Sequence, residues 1–215
     1  HFGQAFCLNC GAVLATPNCG ECGQARARRL DLTAVGSLAW QNAREFEMSL
    51  VQGFLAVLRA PGTVAREFVL GARKRHVHPL TLLVTAIGLM LLVISTSGYL
   101  ASHDARVSEA MALVQKYGNW SFSLGILAIL AATQAVLRWR QPFNLTEHLV
   151  LGVYVHFLVI CASAVNLLPT LVWRAPEFLA AHKAWSAWYM DAIELALFMV
   201  ACRQFFRFDW RRDGW

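Results

Sequence analysis

The sequence predicts an all-α integral membrane protein with four transmembrane helices, interfacial amphipathic helices and a small N-terminal zinc ribbon. Two observations predict this fold class: four apolar stretches are long enough to cross a bilayer, and two Cys-x-x-Cys pairs lie close together near the start of the chain. Hydrophobic residues make up 57% of the 215 residues and charged ones 15%, against about 25% charged in soluble domains. Four spans in a chain of this length leave no room for a large soluble catalytic domain.

Residues 1–30 are predicted to form the zinc ribbon. Two Cys-x-x-Cys pairs at this spacing can bring four thiolates to the corners of a tetrahedron around a zinc ion. The predicted ligands are Cys7, Cys10, Cys19 and Cys22. Two disulfides are the alternative, but the reducing environment of the cytoplasm disfavours them. Because four thiolates close the coordination sphere, we expect the zinc to be structural rather than catalytic.

Residues 31–79 are predicted to form amphipathic helices at the membrane interface, followed by a basic linker. Apolar residues recur every three to four positions over Asp31–Leu58 and again over Thr63–Leu70, and Gly71 is typical of a helix C-terminus. The linker could bind lipid phosphate or another anionic ligand, or it could serve only to fix the topology. Its candidate residues are Arg73, Lys74, Arg75, His76 and His78.

Residues 80–215 are predicted to form a four-helix transmembrane bundle, with spans at about 80–101, 117–137, 149–173 and 185–206. Fifteen of the 19 lysines and arginines fall on one side of these spans, which places both termini in the cytoplasm by the positive-inside rule. The chain begins with His1 and residues 1–30 hold no apolar signal-peptide core. We therefore expect the natural N-terminus to lie upstream.

Several polar residues fall inside the predicted spans, where ionisable groups are costly and suggest function. Asp191 and Glu194 are three residues apart, so they share one helix face, and the antiparallel third span could bring His156 to a similar depth. Gln134 could join them. The cluster could form a proton or cation path, or it could be a structural polar contact that holds helices together.

Several short motifs resemble those of an uncharacterised family of bacterial multi-span membrane proteins with an N-terminal zinc ribbon. They are the two Cys pairs with Cys-Gly-x-Cys-Gly-Gln, Pro61-Gly62, Arg66-Glu67-Phe68, Gly71-Ala72-Arg73-Lys74-Arg75, Glu147-His148-Leu149-Val150 and His156-Phe157. The resemblance covers the chain to about residue 160. It implies a multi-pass protein of the bacterial inner membrane and supplies no activity.

The leading functional hypothesis is a non-enzymatic accessory or scaffold subunit of a larger inner-membrane complex, whose zinc ribbon docks a partner. The expected partners are anionic lipid headgroups and membrane or cytoplasmic protein subunits, and not nucleic acid, because the basic residues cluster beside the spans. One alternative is a small proton or cation transporter that uses Asp191, Glu194 and His156. Another is a membrane enzyme acting on a lipid or quinone, although the sequence shows no nucleophile–base pair and no phosphate-binding glycine loop.

Overall fold

The computed structural model describes residues 2–32, 35, 49–97, 124–135 and 143–208. Within these ranges every regular element is a helix, and strand pairing is limited to two isolated antiparallel bridges, Phe6 with Val13 and Asn18 with Ala25. The helices are α1 (Ser49–Arg59), α2 (Pro61–Leu70), α3 (Pro79–Ser97), α4 (Leu124–Ala135), α5 (Leu145–Val172) and α6 (Pro176–Phe206). The described part of the chain therefore confirms the all-α prediction.

Three of these helices, α3, α5 and α6, are long and apolar enough to cross a membrane. They correspond to the first, third and fourth predicted spans. The second predicted span, 117–137, lies partly outside the described residues, and its described part is α4, which is shorter than a span. The prediction of Asp31–Leu58 as one amphipathic helix also falls partly outside them, and α1 is its described end.

Helix α5 lies at the centre of the bundle. Of its most apolar stretch 67% is buried, against 28% for α3 and 22% for α6, so the outer helices present apolar faces that a bilayer could cover. Helix α3 packs along α5, and the phenol of Tyr154 donates a hydrogen bond to the carbonyl of Val77 at 2.8 Å, just before α3 begins. Helix α4 approaches α5 at Gly152, where a β-carbon would come within 3.6 Å of Ile129.

Helices α5 and α6 begin earlier than the apolar runs that predicted them. Asn144 caps α5: its side chain accepts from the backbone of Glu147, whose carboxylate accepts in return from the backbone of Asn144. This reciprocal capping box fixes the helix start before Leu149. Helix α6 begins with Pro176, whose fixed φ suits the first turn of a helix. The apolar runs therefore predicted the membrane-spanning parts of α5 and α6, whereas the capping residues determine where these helices begin.

The short helix α2 packs against the last turns of α6. Gly62 allows the close approach, since a β-carbon there would lie 2.0 Å from the carbonyl oxygen of Ala201. The backbone N–H of Gly62 donates to the side chain of Gln204 at 2.9 Å. At the other end of α2, Gly71 adopts a left-handed conformation at φ 118°, which confirms it as the predicted helix stop.

The starts of α3 and α5 and the end of α6 lie at one end of the bundle, which we call the module end. Tyr154, in the first half of α5, donates to the carbonyl of Val77 shortly before α3, and α2 joins the linker to the end of α6. The cysteine-rich segment at residues 2–30, called the cysteine module below, packs at this same end.

Candidate functional site

The cysteine module is built from two similar turns. In each, the glycine after the second cysteine donates its N–H to the carbonyl of the first cysteine at 2.8 Å: Gly11 to Cys7, and Gly23 to Cys19. Both glycines have positive φ, 80° and 68°, a region that residues with a β-carbon rarely adopt. Each turn therefore curls its two cysteine side chains toward the same point.

The four cysteine sulfurs meet between the two turns. All four ligand atoms lie within 4.8 Å of one another, and the sulfurs of Cys7 and Cys22 are 3.6 Å apart while those of Cys10 and Cys19 are 3.5 Å apart. A tetrahedral ion with metal–sulfur bonds of about 2.3 Å requires sulfurs about 3.8 Å apart. The thiols are free, so their arrangement fits a metal ion held by all four predicted ligands.

The charge balance of the cluster also favours a cation. The backbone N–H of Ala12 favours the thiolate of Cys10, but the neighbouring thiols of Cys19, Cys22 and Cys7 oppose it, and the pKa of Cys10 rises to about 12. A backbone hydrogen bond from Cys22 lowers the pKa of Cys19 to about 7. One thiolate is thus readily formed, while four together require a positive charge between them.

The cysteine module is joined to the basic linker through Gln24. This buried side chain donates from Nε2 to the carbonyl of Gly71 at 2.8 Å, and its Oε1 accepts from the backbone N–H groups of Arg73 and Lys74 at 3.0 Å each. Asn9 adds a hydrogen bond from the N–H of Arg75 to its Oδ1 at 2.9 Å. Module and linker therefore supply each other's hydrogen bonds, as buried polar groups require.

Some of the candidate anion-binding residues of the linker are buried or contact other protein groups, and the others are exposed. Arg73 donates to the carbonyl of Arg28, and burial lowers the pKa of its guanidinium. His78 is fully buried and Arg73 is half-buried. His76 lies 2.7 Å from a carboxylate oxygen of Glu67. Lys74 and Arg75 are exposed. Lipid or anion binding by these linker residues stays a prediction.

Glu147 links the cysteine module to the central helix. Arg29 donates from Nε to Oε1 and from Nη2 to Oε2 of Glu147, both at 3.1 Å. The carboxylate is 4% exposed, and Oε2 also accepts from the backbone N–H of Asn144 at 2.6 Å. The amide of Asn144 in turn donates to the carbonyl of Leu30 at 3.0 Å. One carboxylate thus caps α5 and fixes the end of the module.

The four candidate residues within the predicted spans lie on three helices. The ring of His156 packs directly on Gly125 of α4, where a β-carbon would come within 2.5 Å of Cε1. Gln134 is half-buried on the same helix, while Asp191 is exposed and Glu194 half-buried on α6. A shared proton or cation path through them stays a prediction.

Another polar contact joins α5 to α6 nearer their connection. The phenol of Tyr189 donates to the side chain of Asn166, and a ring nitrogen of His182 lies 2.9 Å from the carbonyl oxygen of Asn166. These groups hold the two helices together where the chain turns between them. They fit the structural role that polar side chains often have inside a bundle.

Sequence reasoning missed the docking roles of Gln24, Arg29 and Asn9. The sequence did mark Gln24, because it is the last residue of the Cys-Gly-x-Cys-Gly-Gln motif on which the resemblance rests. Glu147 caps the start of α5 through a local contact with Asn144, but its pairing with Arg29 joins residues 118 positions apart. No local spacing could have indicated that contact.

The comparisons with known proteins gave a match in one region of the chain. Residues 48–91 match the model of a family described as "Protein of unknown function (DUF3667)". The matched segment covers α1, α2, the basic linker and the first part of α3. It is less than half of the chain, and the cysteine module lies outside it. Searches of curated proteins and of solved structures found no match.

Proposed function

We propose that this chain is a non-enzymatic scaffold subunit of a bacterial inner-membrane complex, which presents a structural zinc ribbon to a cytoplasmic partner. The observation that carries the proposal is the firm attachment of the cysteine module to the bundle. Gln24 joins it to the linker and Arg29 joins it to the buried carboxylate of Glu147. A module held at a fixed angle is suited to docking, because a preorganised surface loses little entropy on binding.

Zinc is the proposed ion because four cysteine sulfurs in two Cys-x-x-Cys pairs are its usual structural ligand set. All four donor positions come from the protein, which leaves no place for a water or substrate. Such a small module buries little apolar surface around Leu14, so metal binding would supply much of its folding free energy. These features support a structural and not a catalytic role.

Four spans with both termini in the cytoplasm are the proposed topology. Since α3 and α5 both begin at the module end, the chain between Ser97 and Leu145 must return to that end. A crossing at 117–137 would provide this return, and α4 falls inside it. The concentration of arginines and lysines at the module end supports a cytoplasmic location for that end.

The exposed side chains of Phe6 and Val13 form a candidate docking surface on the cysteine module. They face each other across the first bridge, and they are 53% and 68% exposed. A partner that covered this exposed pair would remove its apolar surface from water. We infer that the partner contacts this pair.

Purification from native membranes tests the scaffold proposal. The expected result is a second protein at fixed stoichiometry, lost with Val13→Asp and retained with Ala15→Asp, a nearby exposed position. Both variants should keep their metal content. A homogeneous particle that contains only this chain would contradict the proposal. Cation flux in proteoliposomes that Glu194→Gln abolishes would favour the transporter hypothesis instead.

A further inference from the structure

A groove of about 450 Å³ lies between α2 and the end of α6. Three arginines line it: Arg66 from α2, and Arg203 and Arg207 from the end of α6. The remaining wall includes the apolar side chains of Leu70, Val200 and Phe208. The groove therefore combines a strongly basic part with an apolar part, and it is separate from the cysteine module and the linker.

Arg66 is the inner member of the three arginines. Its Nη1 donates to the carbonyl of Phe205 at 2.6 Å, and its guanidinium carbon lies 5.4 Å from the ring centre of Phe143. Its buried Nε has no acceptor among the described residues. Burial lowers the pKa of Arg66, and the positive charge of Arg207 lowers it further. The two guanidinium groups are thus close enough to repel each other.

Arg207 is held at the groove by the end of α6. It is the C-cap of the helix and adopts a left-handed conformation at φ 55°, while its N–H donates to the carbonyl of Arg203. Among the described residues, neither Arg203 nor Arg207 is paired with a carboxylate. The C-terminal dipole of α6 offers only about half a negative charge, too little to balance three guanidinium groups.

Glu67 contributes a carboxylate to the lining of the groove, and this carboxylate already lies beside two side chains of the linker. His76 lies 2.7 Å from Oε2 of Glu67, and Arg75 approaches the same oxygen at 3.8 Å. These contacts turn the carboxylate toward the linker. Among the residues that the structure describes, the lining of the groove therefore keeps an excess of positive charge that an anion could neutralise.

The location of the groove indicates the kind of anion. It opens at the end of α6, a helix apolar enough to cross a membrane, and Val200 is 47% exposed beside it. Lipid headgroups lie at the ends of spanning helices, and arginines bind phosphate through paired N–H groups. We propose that this groove binds the phosphate of an anionic phospholipid, with the acyl chain along Val200.

The test measures lipid binding to the purified full-length protein in an uncharged detergent by native mass spectrometry. The probes are dioctanoyl phosphatidylglycerol, the zwitterionic dioctanoyl phosphatidylcholine and inorganic phosphate. The double variant Arg203→Gln, Arg207→Gln should bind phosphatidylglycerol roughly thirtyfold more weakly, because each basic residue at an anionic headgroup contributes about a factor of five. Arg66 is left unchanged in this variant, because its guanidinium also donates a hydrogen bond to the carbonyl of Phe205.

Arg59→Gln is the matched control, because Arg59 is an exposed arginine in the last turn of another helix. It should bind phosphatidylglycerol as the wild type does. Unchanged affinity in the double variant, or an equal loss with Arg59→Gln, would overturn the site. Inorganic phosphate that binds as tightly as phosphatidylglycerol would overturn the lipid assignment and identify a soluble phosphate ligand. Equal binding of phosphatidylcholine would overturn the requirement for net negative charge.

Discussion

Replacing Glu147 by glutamine is expected to loosen the cysteine module from the bundle. Glutamine keeps the shape of the side chain and can still accept from the backbone N–H of Asn144, so the capping box of α5 is largely retained. What it removes is the negative charge that faces Arg29 at 3.1 Å through two oxygens. The variant therefore isolates the docking contact from the helix cap.

The magnitude follows from the burial of the pair. An exposed ion pair contributes about 0.2–1 kcal/mol, whereas removing one partner of a fully buried pair costs about 3–5 kcal/mol. The side chain of Glu147 is 4% exposed and that of Arg29 is 52% exposed, so this pair lies between the two cases. We expect the docking free energy to fall by about 2 kcal/mol, which is roughly a thirtyfold change in the docking equilibrium.

Limited trypsin digestion in native membranes measures this equilibrium. The carbonyl of Arg28 accepts a hydrogen bond from Arg73, so undocking of the module frees this peptide bond for cleavage. Cleavage should therefore be roughly thirtyfold faster in Glu147→Gln when opening is rapid. Glu177→Gln is the matched control, because Glu177 is also an acid in the first turn of a helix but is exposed.

The double variant Arg29→Gln, Glu147→Gln completes a thermodynamic cycle. If docking depends on the contact between these two side chains, Arg29→Gln should change the docking free energy much less in the Glu147→Gln background than in the wild type. The expected coupling energy is about 1–2 kcal/mol. A coupling energy near zero would refute the reasoning. So would a cleavage rate for Glu147→Gln within twofold of the wild type, since the contact would then contribute nothing to docking.

Three further predictions concern the metal, the helix packing and pH. The protein should bind one zinc ion per chain, and Cys10→Ser should lower that content in elemental analysis and speed the tryptic cleavage. Gly62→Ala should lower the free energy of unfolding in detergent by about 1–3 kcal/mol, because its β-carbon would lie 2.0 Å from the oxygen of Ala201, whereas Gly88→Ala, with open space around it, should not. Burial lowers the pKa of His78 from 6.5 to about 4. Protonation of His78 should therefore lower the stability by at most about 3 kcal/mol as the pH drops from 6.5 to 4, and calorimetric scans of His78→Asn should show an acid loss that is smaller by this amount.

The elements that the sequence predicted are those with local signals. Apolar runs located α3, α5 and α6, because a bilayer core requires about 20 apolar residues in succession. The doubled Cys-x-x-Cys spacing located the cysteine cluster, and Gly71 marked the end of α2. Each signal depends on residues a few positions apart, so one sequence is enough to recognise it.

The contacts that position the module could not be predicted in the same way. The burial of His78 and the partial burial of Arg73 in the basic linker depend on which surface folds over them. The pairing of Arg29 with Glu147 depends on the tertiary arrangement of distant segments. Charge along the sequence suggested a lipid contact for the linker, but the groove lined by Arg66 and Arg203 joins two segments that lie far apart in the sequence.

The distance along the chain between Arg29 and Glu147 sets an order for biosynthesis. The two residues are 118 positions apart, and ribosomes add about 5–20 residues per second, so the module waits about 6–24 s for its anchor to be made. The contact of Arg66 with Phe205 spans 139 positions and closes later still. The cysteine module is thus complete before its anchor has been made, and it docks only after α5 has been synthesised.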